Sequence, residues 1–249
     1  MKNIGIWEEE YKIKTFNVDL NNKLTIWSLC GFFQQSATSH AAFFKAGYSN
    51  LIKENKVWML SRLKLKIFKQ PELDETIKIN TWVNSFDRLF SYRDFHILDK
   101  NNEIISAART AWIVYDINTK TVSNVEPFVN DYIKFIDKCI INDKTEKLKF
   151  KELKNENKSF PVRFSDIDIN KHVNNIKYIQ WIADSLSSEM MTGKNIGLFE
   201  MNYISQARFG DEIIISYEKI SEKPLIYYQI IKRKFDNKEL CKAKIVFTK

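Results

Sequence analysis

Between residues 29 and 44 the apolar positions recur every three or four residues, with Leu29, Phe33, Ala37, His40 and Phe44 on one stripe. That period predicts a helix with one buried face, and Gly47 reads as its stop. The period then changes to two. Leu63, Leu65 and Ile67 alternate with Lys64 and Lys66, and Ile77, Ile79, Thr81 and Val83 alternate with Lys78, Asn80 and Trp82. Such alternation predicts half-buried antiparallel strands, connected here through Pro71 to Asp74. A further pair, about 89–98 and 104–115, is joined by Asp99-Lys100-Asn101-Asn102.

The same succession returns in the second half: a helix over 174–190, then strands near 198–208, 212–220, 224–235 and 239–248. Short matches link the halves. Asp19 to Leu24 aligns with Asp168 to Val173 at an offset of 149, Asp74-Glu75 with Asp211-Glu212 at 137, and Glu103 with Glu239 at 136. The chain therefore reads as a duplicated α+β unit. We divide it into a first unit over 1–128, a linker over 129–160 with helical character around Val129 to Asp137, and a second unit over 161–249. A lone unit would leave its sheet edge open to pairing, so two side by side are expected to form one longer sheet.

Composition narrows the class. An apolar content of 44% over 249 residues supports a sizeable core. No apolar run approaches the ~20 residues that cross a bilayer. The opening residues turn acidic at Glu8, Glu9 and Glu10, where a secretory signal would have its apolar core, so the chain is expected to stay in the cytoplasm. Cys30, Cys139 and Cys241 are odd in number and widely spaced, which suits reduced packing residues better than disulfides. The net charge of +8 comes from scattered lysines, many at alternate positions of strands. Without a basic patch interleaved with aromatics, nucleic-acid binding is not expected.

Candidate chemistry concentrates in one stretch. Asp168, Asn170 and His172 stand at alternate positions just before a helical pattern. A helix N-terminus offers unpaired N–H groups and partial positive charge, and an imidazole takes a proton near neutral pH. Together they suit activation of water beside a carbonyl. In the first copy Lys23 replaces His172, so one active site is expected rather than two. His40, on an apolar stripe, and His96, in a strand, read as structural.

The run Asp166, Asp168, Asn170, His172, Val173, Asn174, Asn175, Lys177, Tyr178 and Trp181 closely resembles the motif of the acyl-acyl carrier protein thioesterases of plants and bacteria. Val57 to Arg62, Thr81 to Val83 and Tyr203 to Arg208 resemble weaker motifs of that family. The resemblance implies a tandem, or double, hotdog fold: two long helices, each wrapped by an antiparallel sheet, the sheets joined side by side and the active site between the units. It also implies an acidic acyl carrier protein as partner, which the positive charge would steer. No cofactor or metal enters this scheme. Exposed sheet edges would suit a homodimer.

The expected reaction is hydrolysis of a fatty acyl thioester by activated water. Asp168 would stabilise charge on His172, Asn170 would hold the water or the thioester oxygen, and His172 would be the general base. Backbone N–H groups near Asn174 and Asn175 would cradle the oxyanion. The resemblance places the fatty tail against the first unit, where Trp58, Arg62 and Trp82 are candidates. Plant members carry a Glu-Cys pair where this chain has Gln206-Ala207, read here as part of a strand. Alanine excludes a thiol nucleophile there, and Gln206 can orient water without taking its proton. Other readings stay open at this point: hydrolysis of acyl-coenzyme A, a hotdog dehydratase, and a hotdog protein that binds an acyl chain without cleaving it.

Overall fold

The computed structural model describes residues 5–129, 140–141, 145–150, 152–153, 155–156, 159–187, 190 and 193–248. Cys139 and the helical segment expected over 130–137 lie outside them. The chain divides into two units, Met1–Thr145 and Glu146–Lys249.

In the first unit β1 (Trp7–Lys12) precedes helix α1 (Ile26–Phe43) and a single turn, α2 (Tyr48–Leu51). Strands β2 (Lys56–Ile67), β3 (Thr76–Phe86), β4 (Ser91–Leu98), β5 (Ile104–Asp116) and β6 (Thr121–Ser123) follow. The antiparallel order is β1-β3-β4-β5-β2, with β6 paired to the end of β5. Helix α1 buries the stripe read from the sequence, Leu29, Phe33, Ala37 and His40, and Phe33 stacks on Phe95 at 4.7 Å. His40 is structural: fully buried, with Nδ1 2.9 Å from Arg93 Nη1. His96 lies edge-on to Trp82.

The helix begins three residues before its stripe, because Thr25 caps it and accepts the Ser28 N–H. It also ends before Gly47. Lys45 adopts the left-handed conformation at φ 61°, and Gly47 is needed for a close approach, since a Cβ there would sit 2.9 Å from Ala42 Cα.

In the second unit two-residue strands β7 (Asn155–Glu156) and β8 (Phe160–Pro161) pair with the later strand Glu212–Glu222. Helix α3 (Asn175–Asp184) precedes β9 (Asn195–Tyr203), β10 (Glu212–Glu222), β11 (Leu225–Arg233) and β12 (Lys238–Thr248), in the antiparallel order β9-β12-β11-β10. Helix α3 stops short of the expected residue 190. Ser185 turns its hydroxyl back to the Ile182 carbonyl, and the buried Gln229 donates to that carbonyl at 3.3 Å and to Ser185 Oγ at 2.9 Å. Side chains therefore satisfy the last-turn carbonyl that a longer helix would use.

Hydrogen bonds repeat between the units position by position. Asp19 N–H donates to Lys23 O and Asp168 N–H to His172 O, each at 2.9 Å, and Asn22 and Lys171 share φ 61°. The offset of 149 is thus structural. Further on, Ile13 N–H reaches Glu75 O and Val162 N–H reaches Asp211 O. The left-handed residues before those acceptors are Asp74 and Gly210. The backbone equates Glu75 with Asp211, an offset of 136, one less than matching the identical aspartates suggests.

Cys30 and Cys241 are buried free thiols, and burial pushes both well above the ordinary thiol range. Among the described residues no helix is long and apolar enough to cross a membrane, and no cluster of His, Cys, Asp or Glu could hold a metal ion.

Candidate active site

The loop before α3 is held by its own backbone. A 3-10 turn over Phe164–Asp166 places the Asp166 carboxylate 2.8 Å from the Arg163 N–H, and the Asp166 carbonyl accepts the Asn174 N–H at 2.8 Å. The next turn closes through Asp168 N–H to His172 O and Lys171 N–H to Asp168 O. Asp168 Oδ1 accepts the Asn170 N–H at 2.8 Å. Asp168, Asn170 and His172 therefore share one closed turn, half-buried. Asn174 is the helix cap, its Oδ1 accepting the Ile176 N–H at 2.9 Å. With its backbone N–H donated to Asp166, Asn174 has no main-chain donor left for an oxyanion. Asn175 stands at the first helical position, and its carbonyl accepts the Tyr203 hydroxyl.

Residues 204–210 form the wall beside this turn. Ile204 and Ser205 both direct their N–H groups at the Leu240 carbonyl, a bulge that ends the ladder, so β9 stops at Tyr203 and Gln206 lies outside any strand. That corrects the reading of Gln206-Ala207 as strand. The Ala207 carbonyl accepts the Val173 N–H at 3.0 Å and its N–H donates to the Tyr178 hydroxyl at 2.9 Å. Ala207 alone thereby ties the Gln206 segment to both the His172 turn and α3.

The Nδ1 of His172 is buried without a hydrogen-bond partner, as are five other side-chain atoms among the described residues, Trp82 Nε1 included; each such group costs about 1–3 kcal/mol. Burial holds the imidazole below its ordinary pKa, the Arg208 cation adds to that, and the Asp168 carboxylate opposes it. The ring is thus neutral at neutral pH and has a lone pair available. Asp168 acts on the ring through its field, while its Oδ1 accepts the Asn170 N–H within the turn.

The first-unit candidates are less alike than the sequence suggests. Trp82 is 1% exposed, a packing residue. Arg62 donates to the Thr145 carbonyl at 2.7 Å and lies 4.9 Å from the Phe90 ring. Trp58 donates to the Ala46 carbonyl and packs against an apolar cluster of Ala46, Leu51, Val83, Val114, Val125 and Val129. Sequence reasoning missed the parts played by Arg208 and Tyr178. Both stand within the quoted motifs, but their effect depends on contacts across 29 and 36 residues of chain that no local pattern displays.

The chain matches the acyl-ACP thioesterase N-terminal domain over residues 5–133 and the C-terminal domain over 149–249. It is similar to a chloroplastic palmitoyl-acyl carrier protein thioesterase of Cuphea hookeriana, 26% identical over 80% of this chain and 51% of that protein. An oleoyl-acyl carrier protein thioesterase of Coriandrum sativum is 24% identical over 83% of this chain and 61% of that protein. The chain spans between about half and two thirds of the length of these curated relatives. Among solved structures, an acyl-ACP thioesterase from Bacteroides thetaiotaomicron superimposes with a TM-score of 0.91 at 30% identity, each chain covered fully. A 12:0-ACP thioesterase from Umbellularia californica, at 17% identity and a TM-score of 0.85 over 98% and 97% of the two chains, shares the fold. The fold is the double hotdog, and the chain belongs to the acyl-ACP thioesterase family.

Proposed function

We propose that this chain hydrolyses the thioester of fatty acyl-acyl carrier protein, releasing free fatty acid and ending chain elongation. The observation that carries the reading is the half-buried, neutral imidazole of His172, held in one closed turn with Asp168 and Asn170 inside the family's motif. His172 takes a proton from water as the water oxygen attacks the thioester carbonyl; the C–S bond then breaks and the proton passes to the leaving thiolate. Asp168 stabilises the imidazolium, Asn170 and Gln206 hold the water or the thioester oxygen, and the Asn175 N–H at the start of α3 faces the oxyanion. The acyl tail is assigned to the first unit, with Trp58 and its apolar cluster as the wall. Domain bounds of 1–128 and 161–249 follow that division of labour. A cytoplasmic site of action and a homodimer complete the reading; the buried free thiols of Cys30 and Cys241 suit a reducing compartment.

Gln206, lacking a proton-accepting carboxylate, is what favours the rival reading of a non-catalytic acyl-binding protein. Thiol release from acyl carrier protein and coenzyme A thioesters of graded chain length separates them. Hydrolysis of the carrier thioester with the higher kcat/KM supports the proposal. Carrier binding with no thiol released from either substrate overturns it, and faster hydrolysis of the coenzyme A thioester makes that the substrate.

The pH profile gives an independent check. Because burial and Arg208 lower the His172 pKa, the acid limb of kcat/KM should fall below pH 6.5, the ordinary imidazole value, with a plateau at neutral pH. Removing the cation in Arg208→Ala relieves the penalty on the imidazolium and moves the limb up. Removing the carboxylate in Asp168→Asn moves it down. A limb that stays in place in both variants would detach the rate from His172.

A further inference from the structure

The duplicated entry loop supplies an internal control. The hydrogen bonds that equate Asp19 with Asp168 and Glu75 with Asp211 also equate Thr15 with Phe164, Asn22 with Lys171, Glu72 with Arg208 and Leu73 with Phe209. Both versions fold to the same turn, so the side chains that differ are not needed to build it. They change the surface. The first loop, 14–24 with 71–75, carries Lys14 and Lys23 against four acidic residues; the second, 163–173 with 207–211, carries Arg163, Lys171 and Arg208 against three, with His172 neutral, and is the more positive by two charges. Among the described residues none of those three cations has an acidic side chain within 4.0 Å, although Asp211 lies close enough to bind the Arg208 N–H.

Apolar exposure alone does not distinguish the copies, since the first loop exposes Phe16 and Leu20 at 80% and 77%. The second gathers its rings. Phe164 and Phe209, 82% and 66% exposed, meet edge-on with centroids 6.5 Å apart, and both flank the segments that hold His172 and Gln206. An aromatic pair within an unpaired basic rim, beside a proposed thioester site and absent from its sister loop, is a surface for an acidic partner with an apolar contact point.

We propose that Phe164 and Phe209, ringed by Arg163, Lys171 and Arg208, form the docking surface for the acidic acyl carrier protein, and that this surface makes the chain prefer carrier thioesters over coenzyme A thioesters. The inference rests on the proposed function for its partner. The aromatic pair anchors the carrier, and the cations steer it with its acyl arm towards His172.

The test uses Arg163→Glu and the double variant Phe164→Ala with Phe209→Ala, in the full chain, with melting curves to establish folding. Each should weaken binding of holo acyl carrier protein, measured by calorimetry, about tenfold. KM for acyl carrier thioesters should rise by the same factor, while kcat and all kinetics on acyl-coenzyme A stay unchanged. Arg163→Glu should also flatten the salt dependence of carrier binding. Unchanged carrier affinity overturns the inference, as does an equal loss on both thioesters. If light scattering instead finds a wild-type dimer that the variants dissolve while carrier affinity holds, the surface is a contact between two copies of the chain. A wild type that binds carrier but cleaves no thioester refutes the hydrolase reading alone, and the calorimetry still decides the docking surface.

Discussion

Replacing His172 with alanine is expected to lower kcat for thioester hydrolysis by about 10²–10⁴-fold, the range for loss of a general base, and to leave the melting temperature within a few degrees. The two halves of that expectation have separate grounds. The turn is closed by backbone bonds, Asp168 N–H to the His172 carbonyl and Val173 N–H to the Ala207 carbonyl, and alanine keeps both. The equivalent turn of the first unit also folds with Lys23 at this position. The ring is therefore not required to shape the loop. Its removal even relieves a buried nitrogen that has no partner, so stability should hold or rise slightly. Steady-state kinetics on an acyl carrier thioester, beside calorimetric melting, check both. Full activity in the variant would remove His172 from the reaction; loss of activity with a collapsed melt would make it structural.

How much of this was legible in the sequence depended on how local each feature is. The His172 turn was readable because Asp168, Asn170 and His172 lie within five residues and their geometry follows from the chain itself. Helix α1 and strand β3 were readable because the burial of one face imposes period 3.6 or 2. Strand β1 was missed. Its residues Glu8, Glu9 and Glu10 are polar, and it is an edge strand joined to β3. Its core-facing carboxylate is satisfied by tertiary partners, as Glu9 takes hydrogen bonds from Tyr11 and Ser36. The end of β9 was overrun because a bulge is a backbone event at Leu240, invisible in the composition of residues 204–208. The repeat offset was misjudged by one because identical letters, Asp74 and Asp211, are easier to align than equal conformations, Asp74 and Gly210. The family motif carried the fold and pointed to the candidate site; contacts carried the influence of Arg208 and Tyr178.

The largest expected loss of stability lies away from the proposed chemistry, in β4. Residues Ser91 to Phe95 are buried on both faces, and Asp94 pairs across the ladder with Arg109. Arg109 Nε and Nη2 lie 2.7 and 2.8 Å from the two Asp94 oxygens, and the side chains are only 7% and 5% exposed. A bidentate pair at that depth is held by geometry as much as by charge. Arg109→Met keeps the bulk and deletes the guanidinium, leaving a desolvated carboxylate, which typically costs about 3–5 kcal/mol. For a chain of this size that corresponds to a fall in Tm of roughly 6–20 °C. The double variant, Asp94→Leu with Arg109→Met, should recover most of the loss, because two packed apolar side chains need no charge partner. By contrast, Lys12→Ala breaks an ion pair with Asp74 whose side chains are 52% and 74% exposed, and should move stability by no more than about 1 kcal/mol. Thermal melts of the four proteins read this directly. A single Arg109→Met variant as stable as the parent, or a double variant no better than the single, would mean that the carboxylate reaches water or another partner, and that β4 owes its stability to apolar packing alone.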